Sequence, residues 1–409
     1  MALIVAKFGG TSVADIDRIT HAADKIVREV EAGHKLVVVV SAMSGITNKL
    51  VSYCGDISPM HDLREYDTVV SSGEQITAGL MAMALQKRGV SARSWLGWQI
   101  PILTDNVHGK ARIENIDTDE LHKRLDSGEV AVIPGFQGVT EHNRVATLGR
   151  GGSDTSAVAM AAALNADRCD IYTDVTGVYT ADPRIVPAAK KIHKISYEEM
   201  LELASLGSKV LQTRSVEMGA KSGVPIQVLS SFGEEVGSAR QGTLVTTEDQ
   251  IMEQELVSGI AHNVDESKIT VVGVEDVPGV AARLFDPLAK AAINVDMIVQ
   301  NISTDGRTDM TFTVPRGELD LAVKTLRDDT GLSYQDVVIN DNLAKISIVG
   351  IGMKSHAGVA NTMFATLADK NINIHVISTS EIKISVLIEA DYTELAVRSL
   401  HAAYGLDEV

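Results

Sequence analysis

Lys7 and Arg150 are cations set among glycines, in Lys7-Phe8-Gly9-Gly10-Thr11-Ser12 and in Gly149-Arg150-Gly151-Gly152-Ser153-Asp154-Thr155. Glycine lets backbone N–H groups approach phosphate or carboxylate oxygens without interference from a Cβ. An ammonium adds a point charge, and a guanidinium adds a planar fork suited to a carboxylate. A third string, Tyr172-Thr173-Asp174-Val175-Thr176-Gly177-Val178-Tyr179-Thr180-Ala181-Asp182-Pro183-Arg184, brings two tyrosines, two acids and an Arg, and Gly207-Ser208-Lys209 follows. Aromatic walls and nearby cations suit an adenine nucleotide. Each piece also has a plainer use: Lys7 with its glycines as a turn, Ser153 as a helix cap, Asp174-Gly177 and Asp182-Pro183 as surface turns. Glu74, in Ser71-Ser72-Gly73-Glu74, suits a helix dipole. The string at Lys7 is not a P-loop, since no Gly-Lys-Ser or Gly-Lys-Thr follows four residues after a glycine.

The elements that would position these residues alternate. Short β-branched runs at 3–6, 36–40, 130–133, 168–173 and 226–229 read as buried strands, and 15–32, 73–88 and 153–164 carry apolar residues at helical spacing. Asp15, Ser71 or Ser72, and Ser153 are the candidate caps. That alternation predicts an α/β sheet with crossover helices, which places Lys7 at the C-terminal end of a strand, where open sheets bind ligands. Residues 230–254 turn rich in Gly, Ser, Thr and acids and read as a connection. Beyond them the chain repeats itself. Lys268-Ile-Thr-Val-Val-Gly273 answers Lys345-Ile-Ser-Ile-Val-Gly350, Gly279-Val280-Ala281 answers Gly358-Val359-Ala360, and Leu288 to Val295 answers Leu367 to Ile374. Two copies of one βαββαβ unit are expected. Each carries a loop opening a helix, at 276–281 and 354–360, whose free backbone donors suit an effector carboxylate.

Composition narrows the function. At 409 residues the chain is too long for one ordinary core, so two or three domains are expected. The net charge of −17 argues against a nucleic-acid binder, which needs clustered cations. Cys54 and Cys169 offer neither a disulfide framework nor metal-ligand spacing, and a reducing cytoplasm is the expected setting. The first residues lack a basic leader, and the apolar runs at 36–40 and 157–164 are too short to span a bilayer, so no membrane association is expected.

The strings at 7–12, Ser41-Ala-Met-Ser-Gly-Ile-Thr-Asn48, 71–74, 149–154, 172–184 and Ala204-Ser-Leu-Gly-Ser-Lys209 together resemble those of aspartokinases in the amino-acid kinase superfamily. The repeats resemble the paired ACT modules of feedback-regulated members. The resemblance covers essentially the whole chain. It implies a three-layer α/β amino-acid kinase domain over 1–245, followed by ferredoxin-like ACT modules over 262–340 and 341–409.

It further implies transfer of the γ-phosphoryl group of ATP to the β-carboxylate of L-aspartate, with Mg²⁺, as the first step toward lysine, threonine and methionine. Carried onto matching positions, Lys7 and Asp154 are catalytic, and Lys7, Phe8, Gly9 and Gly10 hold the transferring phosphate. Ser41, Thr47, Glu74, Leu125, Asp126, Arg150, Gly151, Gly152 and Ser153 line the aspartate site. Thr173, Asp174, Tyr179, Thr180, Ala181, Asp182, Pro183, Arg184 and Lys209 form the nucleotide side. No protein metal ligand is implied. Lysine or threonine is expected near Asp276, Gly279, Val280, Ala281, Asn294, Val295, Asp296 and Gln300 of the first repeat, and Val359, Ala360, Asn373, Ile374, Ser380 and Glu381 of the second. Homo-oligomerisation through the ACT modules is expected, and Met252 is a candidate start for a separate regulatory chain. The rival readings are another amino-acid kinase, such as one for glutamate, and a non-catalytic amino-acid sensor.

The chemistry of the residues accounts for one absence. A carboxylate nucleophile is ionised at neutral pH, its ordinary pKa being about 4. Transfer then needs positioning and charge neutralisation rather than a general base.

Overall fold

The computed structural model describes residues 1–207, 210–233, 236–237, 242–251, 256–302, 306–328, 331–356 and 358–407. Lys209 and Met252 lie outside them. The chain divides into two compact units, 1–178 with 191–204 and 209–253, and 254–409 with 179–190 and 205–208.

The five runs read as strands form Leu3–Phe8, Lys35–Val40, Val130–Pro134, Arg168–Thr173 and Ile226–Ser230. They lie in one eight-stranded sheet in the order Lys194–Ser196, Thr243–Thr246, Ile226–Ser230, Arg168–Thr173, Leu3–Phe8, Lys35–Val40, Val130–Pro134, Ala92–Ser94. From Ile226–Ser230 to Ala92–Ser94 every pairing is parallel. Both faces are covered, which is why the strands read as continuous apolar runs. On one face Ile4, Ala6, Phe8, Leu36, Val38 and Val40 pack with Ile19, Ala23 and Ile26 of helix Ile16–Glu31 and with Ala78, Met81 and Leu85 of helix Ser72–Gln86. Against the sheet also lies helix Gly152–Ala163, buried almost all round, its alanines allowing close approach. This is the three-layer sandwich expected.

Of the expected caps, Asp15 caps Ile16–Glu31 by accepting from Arg18 N at 2.8 Å. The other two differ. The helix after Arg150 starts at Gly152 with left-handed Gly151 as its cap, so Ser153 is already inside the first turn. Ser71 occupies the cap position of Ser72–Gln86 without a capping bond, its hydroxyl donating to Thr68 O instead. A small second sheet, ordered Ile113–Ile116, Ile102–Thr104, Gln137–Thr140, Val145–Thr147, is also present. Its strands are three or four residues long, too short for a clear periodicity.

In the second unit one antiparallel sheet serves both repeats, in the order Asp296–Ile302, Arg307–Val314, Gly259–Glu275, Asp336–Val349, Lys383–Glu389, Val376–Thr379. The two long central strands pass from one repeat to the other. Ile269, Val271, Leu284, Leu288 and Phe312 form the core of the first repeat, and Ile346, Ile348, Met363, Leu367, Val386 and Leu400 that of the second. The repeats are not laid end to end at 340. Among the described residues no strand follows the helix Thr393–Ala403. The strand that closes the second repeat comes from before the first, where Gly259, Ile260 and Ala261 pair with Val349, Ile348 and Ser347. Residues 179–190 join this unit too. Ala181 and Val186 pack into the second core, Thr180 Oγ1 lies 2.9 Å from His401 Nε2, and Arg398 Nε donates to Ile185 O at 2.8 Å.

Candidate active site

The parallel strands Leu3–Phe8 and Lys35–Val40 end in register, Lys7 opposite Val39 and Phe8 opposite Val40. Ser41 N donates to Phe8 O at 3.0 Å, and Gly9 N donates to Tyr172 O at 3.1 Å, fixing the turn beyond Lys7. A Cβ on Gly10 would lie 3.1 Å from Ala42 O, so glycine lets the two strand ends approach. The strand ends open into a cleft of about 460 Å³. Three helices point their N-termini at it: Ile46–Ile57 brings Thr47, Ser72–Gln86 brings Glu74, and Gly152–Ala163 brings Ser153 and Asp154. Helix N-termini favour anions.

Lys7, Gly9, Gly10, Ser41, Thr47, Glu74, Arg150, Gly151, Gly152, Ser153, Asp154 and Thr173 all line this cleft, although they come from five separate strings. Lys7 Nζ and Asp154 Oδ1 are 2.5 Å apart, their side chains only 10% and 11% exposed. Arg150 is exposed and has no ion pair among the described residues. Glu74 is buried. Its Oε1 accepts from Ala42 N at 3.1 Å, and its Oε2 has no hydrogen-bond partner among the described residues. Burial pushes the carboxyl up to about 7, against the lowering effect of the Ala42 N–H. The cleft lining thus brings together an ammonium, an exposed guanidinium and a buried carboxyl. Phe136 joins the lining with a φ of 69°. Sequence reasoning missed it because a non-glycine in the left-handed region leaves no pattern. Met43, Ser44 and Gly45 of the Ser41 string line the cleft as well.

Other expected site residues lie elsewhere. Phe8 is fully buried and stacks on Tyr172 with ring centroids 4.6 Å apart, so it supports the strand end from inside the core. Tyr172 is no adenine wall either, being 1% exposed with its hydroxyl accepting from Gly237 N. Leu125 and Asp126 close helix Asp119–Asp126. Leu125 is in the core, and Asp126 pairs with Lys35 Nζ at 2.6 Å. Lys35 begins the strand whose far end meets the cleft, so Asp126 sits roughly 17 Å away, at the wrong end of the sheet. Asp174 accepts from Thr173 Oγ1 at 3.2 Å beside the cleft. Tyr179, Thr180, Ala181, Asp182, Pro183 and Arg184 belong to the second unit, where Thr180 and Ala181 are buried and exposed Arg184 forks onto Asp182 at 2.7 and 3.0 Å.

Within the second unit, Gly279 and Gly358 hold the same left-handed position before Val280–Lys290 and Val359–Asp369. Val280 and Val359 are core residues, and Val280 N donates to Val277 O at 3.1 Å. Asp276 N donates to Gly306 O, Asn294 N to Glu318 Oε2, and Ser380 N to Lys383 O. Val295 packs with Ala281 around the first core, and Ala360 with Ile374 around the second. Gln300, Asn373 and Glu381 are exposed. Asp296 pairs with buried Lys345 at 2.7 Å, and Lys345 also meets Glu266 at 2.6 Å.

The amino acid kinase family matches residues 2–230, and the ACT domain matches twice, at 269–329 and 346–404. The chain is 55% identical to an aspartate kinase of Pseudomonas putida over 100% of its own length and 98% of that protein's. It is 46% identical to an aspartokinase of Corynebacterium glutamicum, over 99% and 97%. Among solved structures, Escherichia coli aspartokinase III in complex with aspartate and ADP superposes with a TM-score of 0.82 at 27% identity, covering 98% of this chain and 99% of that one. The same enzyme with lysine and aspartate gives a TM-score of 0.77 at 28% identity. Matched from end to end by relatives that share both the kinase domain and the paired repeats, the chain belongs to the aspartate kinases of the amino acid kinase family, which are phosphotransferases.

Proposed function

We propose that the chain transfers the γ-phosphoryl group of ATP to the β-carboxylate of L-aspartate, giving 4-phospho-L-aspartate. The observation that carries this reading is the placing of Lys7, Glu74 and Arg150 around one cleft. Lys7 neutralises the transferring phosphate, held in place by Asp154. Arg150 takes the α-carboxylate through a two-pronged contact, and ionised Glu74 takes the α-ammonium through its unpartnered oxygen. The β-carboxylate is then directed toward Lys7, and its attack needs no proton removed. The complex of E. coli aspartokinase III with aspartate and ADP supports aspartate and an adenine nucleotide as the ligands here.

Mg²⁺ supplies charge neutralisation on the phosphates. Among the described residues no group of three or more His, Cys, Asp or Glu could hold an ion, and Asp154 faces Lys7. The ion would be carried by phosphate oxygens and water, as Mg²⁺ prefers.

Feedback by lysine or threonine at the ACT repeats is part of the proposal, as is self-association through them. The lysine complex of the E. coli enzyme supports the former. A cytoplasmic setting is consistent with two buried free cysteines and with no helix among the described residues long and apolar enough to cross a membrane. Hydroxylamine trapping of the acyl phosphate tests the reaction. Hydroxamate should form with ATP and aspartate and fall when lysine or threonine is added. Product with glutamate instead would support a glutamate-type kinase, and no product with either would leave an amino-acid sensor.

A further inference from the structure

Asp67, on helix Leu63–Val70, is fully buried, and its carboxylate meets Thr147 and the loop between Thr104 and Ile113. It accepts from Thr147 Oγ1 at 2.5 Å, from His108 Nδ1–H at 2.7 Å and from Gly109 N at 3.1 Å. Thr147 ends a strand three residues before Arg150. Gly109 abuts the same segment: a Cβ on Gly149, whose φ is +77°, would lie 3.3 Å from Gly109 O. Thr147 O in turn accepts from Ala111 N at 2.9 Å. From helix Thr213–Ser222, Arg214 donates to Leu148 O and to Ala111 O, both at 3.0 Å. The backbone leading to Arg150 is therefore fastened by a buried charge on one side and by a guanidinium on the other. Arg150 itself is exposed and has no ion pair among the described residues to hold it.

We propose that Asp67 is a positioning residue that sets the placement of Arg150 for substrate carboxylate binding, by pinning Thr147 and Gly109. The inference rests on the reading of Arg150 as the carboxylate clamp. It assigns a role in substrate affinity to a side chain that does not touch the cleft. A carboxylate suits the task because it accepts three hydrogen bonds at once, whereas an amide in its place has one oxygen and turns an N–H₂ toward donors.

The test is a double-mutant cycle on the full-length enzyme, with steady-state kinetics for both substrates. Asp67→Asn should raise the aspartate KM about tenfold, the weight of a charge-assisted hydrogen-bond set, with kcat and the ATP KM within about twofold. Arg150→Ala should raise the aspartate KM further, and adding Asp67→Asn to it should change nothing more. An equal rise in the Arg150→Ala background would overturn the inference, because Asp67 would then act elsewhere. A parallel rise in the ATP KM would also overturn it, as general loosening. If Arg150→Ala raises the KM and Asp67→Asn does not, the inference fails and the clamp reading survives. If Arg150→Ala itself has no effect, both fail. Thr147→Val removes one hydroxyl only and covers the case in which Asp67→Asn does not fold. It should raise the aspartate KM a few-fold, and an unchanged KM would count against the inference.

Discussion

Replacing Glu74 by Gln should make the protein more stable at pH 8 while impairing its binding of aspartate. Glu74 Oε2 is buried without a partner, and burial lifts the carboxyl from 4.5 to about 7. A carboxyl with a raised folded pKa binds a proton more tightly folded than unfolded, so stability falls as pH rises from about 4.5 through about 7 and is level above. The full loss is on the order of 3 kcal/mol. Gln keeps the acceptor for Ala42 N and removes the charge, but it buries an unsatisfied N–H₂ at roughly 1–2 kcal/mol. The net gain at pH 8 is thus about 1–2 kcal/mol, vanishing near pH 5, where Glu74 is protonated. Denaturant unfolding of both proteins at pH 5 and pH 8 measures it. In the same variant the aspartate KM should rise about 10–100-fold from loss of the ammonium contact, with the ATP KM unchanged. In the parent enzyme kcat/KM for aspartate should climb through about pH 7 and plateau, a limb absent from Glu74→Gln. A variant equally destabilised at both pH values, with aspartate and ATP affinities falling together, would refute the reasoning.

Lys7→Ala should lower kcat by roughly 10²–10³-fold, with aspartate KM little changed, because the ammonium acts on charge that develops in transfer. Steady-state kinetics check this, and turnover near that of the parent would contradict it. Gly151→Ala forces a side chain onto φ +71° and into the Gln212 side chain, so a stability loss of about 1–2 kcal/mol and weaker aspartate binding are expected, read by thermal melting and KM. Lys345→Met leaves Glu266 and Asp296 without their shared cation. It should destabilise the second unit by about 3–5 kcal/mol, visible as an early unfolding transition. Feedback is better tested by substitution at Asp276 or Gln300 than by truncation. Removing 254–409 would strip Thr180 of His401 and Ala181 and Val186 of their core. Substitution should leave basal activity intact and lessen inhibition by lysine or threonine.

The sequence was most legible where one physical demand fixes residue types. Double-sided burial wrote the runs at 36–40 and 130–133 plainly, and close backbone approach wrote the glycines at 9–10 and 149–152. The clustering of Lys7 with Asp154 was legible only through the family resemblance, since 147 residues separate them. Other features depended on three-dimensional context. Asp126 resembles a ligand in sequence, and its partner Lys35 shows it to be a tie at the far end of the sheet. Phe8 and Tyr172 are aromatic and lie in motifs, yet the sheet turns both rings into the core. The closing of the second repeat by a strand from before the first was invisible, because residues 259–263 carry nothing that marks which repeat they complete.

The most direct measurement is to follow oxygen from the nucleophile. With L-aspartate labelled by ¹⁸O in its β-carboxylate and unlabelled ATP, ³¹P NMR of the acyl phosphate reads whether phosphorus has bonded to substrate oxygen. Attack by the carboxylate on the γ-phosphorus predicts an isotope-shifted phosphorus signal from a bridging ¹⁸O, formed by the parent enzyme and largely lost in Lys7→Ala. Inorganic phosphate appearing directly from ATP, with no labelled acyl phosphate, would contradict it.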